Sequence, residues 1–201
     1  DITTRAFLPA GRAFNARIVF KEDGVLCGAR IVDEVFRLAA PGARLRWLAQ
    51  DGRRLSRGAT AARVRGPREI LSAERTALNF LQKLSGIATL TRRFVDAARG
   101  TRAGIYDTRK TLPGWRTLSK YAVRTGGGKN HRFGLFDMAL VKDNHLAGAD
   151  ATRRSLGAFR RRYPGVPVEL EAADSAQVDA ALGAGADMIL LDNMSPAALR
   201  R

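Results

Sequence analysis

The chain has 201 residues, 45% of them hydrophobic and 27% charged, the composition of a folded globular protein of one or two domains rather than of a disordered one. It has no run of 18 apolar residues, which excludes a membrane-spanning helix, and its single cysteine, Cys27, excludes an internal disulfide or a four-cysteine zinc site. The charge is the extreme quantity: 35 Lys+Arg stand against 19 Asp+Glu, a net +16.

Such an excess suits nucleic acid, an anionic membrane or small anionic substrates. The cations are dispersed along the chain, are mostly Arg, and sit in an Ala- and Gly-rich background. No nucleic-acid-binding motif accompanies them. Neither a nucleic acid nor a membrane is therefore the expected partner. Asp1-Ile2-Thr3-Thr4-Arg5 carries no apolar signal core, and the lone cysteine suits a reducing cytoplasm. The chain starts without Met, so a trimmed product or a fragment is expected.

In chain order, Ala16, Ile18 and Phe20 alternate with Asn15, Arg17 and Val19, the period of a half-buried strand. A turn follows at Glu22-Asp23-Gly24, then a short apolar run through Cys27. Ile31, Val35 and Leu38, flanked by Val32 and Phe36, mark a helix over 30–39 that Pro41-Gly42 ends. Leu45 and Trp47 suggest a strand, Asp51-Gly52 a turn and Gly66-Pro67 a break. Leu71, Leu78, Leu81 and Leu84 predict a helix over 70–84, and a second helical run covers 87–98. Beyond it, strands over 103–106, 138–141, 166–170 and 188–191 alternate with helices over 115–124, 152–162 and 176–182. Short apolar strands with helical crossovers predict a parallel sheet, and four strands are too few to close a barrel.

Polar residues gather where these strands end. Asp107-Thr108-Arg109-Lys110-Thr111 follows the first, Lys142-Asp143-Asn144-His145 the second, Glu169 and Glu171 lie in and just after the third, and Asp192-Asn193 follows the fourth. In a barrel of parallel strands such ends converge on the active-site mouth. Two lysines, an arginine and carboxylates there suit an anion with a metal, as phosphate plus Mg²⁺ requires. Gly126-Gly127-Gly128 before Lys129 reads either as a phosphate cradle or as a helix stop. Two histidines without a helical pair argue against a zinc hydrolase, and His145 suits a hydrogen-bonded structural role.

Seven motifs in order, beginning with Glu74-Arg75-Thr76-Ala77-Leu78-Asn79 and Leu84-Ser85-Gly86-Ile87-Ala88-Thr89, give the chain a family likeness. The others are Asp107–Thr111, Lys120-Tyr121-Ala122-Val123-Arg124, Gly126–Arg132, Lys142–His145 and Leu190-Leu191-Asp192-Asn193-Met194. Together they resemble the quinolinate phosphoribosyltransferases. The resemblance implies an α/β fold: a small α/β sandwich domain with a connecting helix over 1–85, then an incomplete (β/α) barrel of the type II phosphoribosyltransferase kind over 86–201. It implies a chain longer than 201 residues, with a helical segment before Asp1 and more strands after Asp192.

The implied reaction makes nicotinate mononucleotide, pyrophosphate and CO₂ from quinolinate and phosphoribosyl pyrophosphate with Mg²⁺, in NAD biosynthesis. The resemblance assigns quinolinate to Arg75, Arg109, His131, Arg132 and Lys142. It assigns the phosphoribosyl donor to Lys110 and Lys142, with Thr111 in the substrate-binding set. Glu171 and Asp192 would lie near ribose and metal, the latter held directly or through water, and Lys110, Glu171 and Asp192 would be the catalytic residues. Arg75 would reach into a partner's site, implying a homodimer or an assembly of dimers. Departures fall at Ala172-Ala173 and at Thr125, commonly Cys in the family. The rival expectations are a truncated, non-catalytic relative that binds quinolinate or another anion, and a basic nucleic-acid binder.

Overall fold

The computed structural model describes residues 1–142 and 149–200 and divides into two compact units, Asp1–His131 and Arg132–Arg201. Asp143, Asn144 and His145 lie outside the described residues.

The first unit opens with α1 (Ile2–Phe7), a short helix that the sequence pattern did not suggest, capped by the Asp1 carboxylate on the Thr4 N–H at 3.0 Å. Strands β1 (Phe14–Val19), β3 (Arg44–Trp47) and β5 (Thr60–Gly66) form an antiparallel sheet in the order β1-β5-β3. A smaller ladder joins β2 (Gly24–Val25) to β4 (Arg54–Leu55). Helix α2 (Ala29–Ala39) lies between β2 and β3 in sequence and buries Val32 and Phe36. The face expected from Ile31, Val35 and Leu38 is rotated: Leu38 is 65% exposed, and Val32 and Phe36 are the centre of the stripe.

Helix α3 (Glu69–Ala97) is a single element where two were expected. Its buried stripe runs Ile70, Ala73, Ala77, Leu81, Leu84, Ala88 and Thr91, stepping by three and four as one helical face must. Leu71 stands off it, 40% exposed. Ser85 turns inward and ties α3 to the β2 region, donating to the Cys27 carbonyl and accepting from the Cys27 N–H at 3.3 and 3.1 Å. The unit's core joins Leu26, Phe36, Ala61, Val64 and Leu81 from sheet and helices.

Helix α4 (Arg116–Thr125) packs on α3 through Ala122, with Leu118 and Tyr121 beside it. Gly126-Gly127-Gly128 ends it. The Gly127 N–H donates to the Arg124 carbonyl at 2.9 Å and the Gly128 N–H to the Val123 carbonyl at 3.0 Å, with Gly127 at φ +92°. This is the Schellman pattern of a helix C-terminus. The glycine run is a helix stop, its N–H groups already spent on carbonyls, and not a phosphate cradle. The strand expected over 103–106 reduces to one parallel bridge between Tyr106 and Lys129.

The second unit alternates β6 (Ala139–Val141), α5 (Ala149–Arg162), β7 (Val168–Ala172), α6 (Ser175–Ala184) and β8 (Met188–Leu191). The three strands form a parallel sheet in the order β6-β7-β8, each reached through a helix. Central β7 buries Val168, Leu170 and Ala172 on one face. At the start of β7, the Asp187 carboxylate accepts the Val168 N–H at 2.8 Å and an Arg160 contact at 3.0 Å.

Candidate active site

In the first unit the site residues stand on α3 and on two segments that pair with each other. The Lys129 N–H donates to the Ile105 carbonyl at 2.7 Å and the Asp107 N–H to the Lys129 carbonyl at 3.1 Å, so 105–107 and 129–131 run side by side. Arg109, half-buried, has its Nε buried without a hydrogen-bond partner among the described residues. Such an orphaned guanidinium donor is costly unless something anionic meets it. The Thr108 hydroxyl accepts the Lys110 N–H at 3.1 Å, and the Lys110 side chain is exposed; Thr111 is half-buried. Arg75 is exposed on α3.

His131 is held by its backbone. Its N–H donates to Asp107 Oδ1 at 2.8 Å, and its carbonyl accepts from Lys120 Nζ at 2.9 Å. Lys120 Nζ also lies 2.6 Å from Asp107 Oδ1, an ion pair whose side chains are only 3% and 8% exposed. Neither Lys120 nor Asp107 was expected among the functional residues. Both lie in the recognised motifs, but a pair 13 positions apart leaves no periodic signal.

In the second unit, Lys142 follows β6 and stands 3.8 Å from Glu171 near the end of β7. Asp192 follows β8, its N–H bonded to the Ala172 carbonyl at 2.9 Å, and its carboxylate accepts from Asn193 at 3.1 Å. Asn193 itself is at φ +52°, a left-handed conformation that Asn tolerates. The C-terminal ends of three successive parallel strands thus present Lys142, Glu171 and Asp192 side by side. Arg132 donates to the Met138 carbonyl at 3.4 Å. Among the described residues no three His, Cys, Asp or Glu side chains are grouped to hold a metal. None of the described helices is long and apolar enough to cross a membrane.

Comparison with known proteins decides what this arrangement belongs to. The family model of the quinolinate phosphoribosyl transferase N-terminal domain matches residues 1–85, and that of the C-terminal domain matches 87–201. The chain belongs to the quinolinate phosphoribosyltransferase family. It is 48% identical over 198 residues to nicotinate-nucleotide pyrophosphorylase [carboxylating] of Mycobacterium leprae, covering 96% of this chain and 69% of that protein. It is 40% identical over 202 residues to the probable enzyme of the same name from Bacillus subtilis, covering 100% and 70%. The solved nicotinate-nucleotide pyrophosphorylase of Francisella tularensis superposes with a TM-score of 0.92 at 36% identity, covering 99% of this chain and 70% of that one. The fold is accordingly α/β, with a small sandwich followed in sequence by strands of a type II phosphoribosyltransferase barrel.

Proposed function

We propose that the chain transfers the phosphoribosyl group of phosphoribosyl pyrophosphate to quinolinate with loss of CO₂, giving nicotinate mononucleotide and pyrophosphate in NAD biosynthesis. One observation carries this reading: the two family models divide the chain between them, within which all the assigned residues fall. The chemistry agrees. Quinolinate carries two adjacent carboxylates, which guanidinium groups hold through paired, directional hydrogen bonds. Arg109, with its buried unpartnered Nε, suits that task, together with Arg75, His131, Arg132 and Lys142.

The ring nitrogen attacks the ribose C1 while the C1–O bond to pyrophosphate breaks, and its electron pair leaves with the pyrophosphate. Positive charge builds on the ribose at that moment, and Glu171 and Asp192 are suited to hold the sugar hydroxyls and offset it. Lys110 and Lys142, with Thr111, meet the donor's phosphates. The carboxyl next to the nitrogen then leaves as CO₂, the electron pair passes to the ring carbon, and a proton completes it. The cations on the remaining carboxylate hold the adduct in place.

Mg²⁺ is the proposed cofactor. Two carboxylates on neighbouring strand ends fit an ion that takes one or two protein oxygens and completes its shell with water and substrate phosphate. Glu171 and Asp192 would hold it, and it would offset the charge of the leaving pyrophosphate. We further propose two functional domains, 1–85 and 86–201, an assembly of two or more copies to which the exposed Arg75 contributes, and a cytoplasmic setting. Size-exclusion chromatography with light scattering tests the assembly.

The reaction itself is tested by following nicotinate mononucleotide from quinolinate and phosphoribosyl pyrophosphate with Mg²⁺. Product is expected, and Arg109→Ala abolishes it. Glu171→Ala or Asp192→Ala impairs turnover but leaves quinolinate binding intact. A folded chain that binds quinolinate without turnover would turn the conclusion to a non-catalytic relative. Absence of quinolinate binding would sink both readings.

A further inference from the structure

The Lys120–Asp107 pair is unusual for its surroundings. A buried ion pair gives up the hydration of both ions, and holds only where its geometry satisfies nearly every donor and acceptor. Here it does. Asp107 Oδ1 receives Lys120 Nζ and the His131 N–H, at 2.6 and 2.8 Å. Asp107 Oδ2 receives the Asn130 side-chain amide, its nitrogen turned inward, at 2.9 Å, and the same amide donates to the Lys120 carbonyl at 3.0 Å. Lys120 Nζ spends a second proton on the His131 carbonyl.

Docking of α4 does not require this pair. That helix is fixed on α3 by Ala122, Leu118 and Tyr121, with Trp115 stacked on Phe80 at 5.3 Å between ring centres. An apolar side chain in place of Lys120 would bury as well. What the ions do that packing cannot is hold both polar groups of the His131 backbone unit at once. With N–H and C=O fixed, the backbone at His131 is not free to turn, and its side chain leaves the loop in one direction. Asp107 stands two residues before Arg109, so the same anchor starts the loop that carries the guanidinium.

We propose that Lys120 and Asp107 are positioning residues for the recognition of quinolinate, a role that rests on the function proposed above. They touch no substrate; they pre-orient His131 and Arg109 so that the dicarboxylate meets donors already in place.

The test compares the native chain with Lys120→Met and with Lys120→Met combined with Asp107→Asn. Affinities for quinolinate and for phosphoribosyl pyrophosphate with Mg²⁺ are measured separately by calorimetry, beside thermal unfolding. Lys120→Met leaves a buried carboxylate without its counter-ion, and stability falls. The double variant removes both charges and recovers most of that stability. Quinolinate affinity stays at least tenfold weaker in both variants, and donor affinity, which Lys110 and Thr111 on the same loop share with Lys142, falls by a smaller factor. A purely structural pair predicts the opposite: affinity returning with stability in the double variant. That result, or equal weakening for both ligands, overturns the proposal. A native chain that does not bind quinolinate at all overturns the function on which it rests instead.

Discussion

Gly126→Ala is a test of how α4 ends. A Cβ built on Gly126 would lie 2.5 Å from the Ala88 carbonyl oxygen and 2.7 Å from Thr91 Cβ, both on α3. Ordinary contact begins near 3.4 Å, so the obstacle must retreat by about 0.9 Å. The nearest atom is backbone on the buried face of α3, and no side-chain rotation relieves it. Overpacking of this kind costs about 1–3 kcal/mol, and a clash with backbone belongs at the top of that range, about 3 kcal/mol. Gly127→Ala differs. Its neighbour is the Arg92 guanidinium at 3.5 Å, ordinary van der Waals contact, so only the left-handed φ of +92° is strained, at about 1–2 kcal/mol. Gly183, inside α6 with nothing within 4 Å of its Cβ position, is the control: alanine there stabilises by about 0.5–1 kcal/mol. Urea unfolding of the three variants gives the ranking. Gly126→Ala within about 0.5 kcal/mol of the native chain would refute the close approach of α4 to α3.

Alkaline pH should destabilise the protein through two groups. Burial pushes the Cys27 thiol from 9.0 up to about 12, and burial together with the Asp51 carboxylate pushes Tyr121 from 10.0 up to about 12. Both hold their protons more tightly folded than unfolded, so stability is whole below about pH 9 and declines as pH rises toward 12. Tyr121→Phe reduces the slope above pH 10; denaturation midpoints at several pH values read it, and an unchanged slope would remove Tyr121 from the account. Cys27 should also resist a thiol reagent at pH 8 until the chain unfolds, because it is fully buried and protonated. Stoichiometric labelling of the native protein within minutes would contradict that placement.

Helical periods and strand ends were legible in the residues, and long-range pairings were not. The sheet centre β5 escaped notice because Thr60-Ala61-Ala62-Arg63-Val64-Arg65 is rich in alanine and arginine, good helix formers. Its strand state is imposed by pairing with β1 and β3 on either side. The helical runs expected over 70–84 and 87–98 leave Ser85-Gly86 between them, yet Gly86 is exposed with open space about its Cβ position, while Leu84, Ser85 and Ala88 are buried around it. Packing outweighs the roughly 1 kcal/mol a mid-helix glycine costs. Lys142, Glu171 and Asp192 could be placed at strand ends from the sequence because polar residues at the end of an apolar strand are a local pattern. The Lys120–Asp107 pair was hidden because only the fold brings helix α4 to the end of the 105–107 segment.

The net +16 has a structural consequence on the solvent face of the first sheet. Arg63 on β5 stands directly opposite Arg17 on β1 and Arg46 on β3, and Arg65 opposite Arg44 in the next row. None of these five arginines has an acidic partner among the described residues. Like charges directly opposite on neighbouring strands destabilise a sheet, by a few tenths of a kcal/mol to about 1 kcal/mol per pair. Arg63→Glu replaces two repulsions with two attractions at the central strand. Solvent screening holds each near the low end, so a gain of about 1 kcal/mol is expected at low salt. The gain should shrink as salt rises to about 1 M, where the screening length falls to about 3 Å. The native chain should itself become more stable over the same titration. If Arg63→Glu destabilises at every salt concentration, the arginines are not in mutual repulsion, and the face they form is held by contacts other than charge.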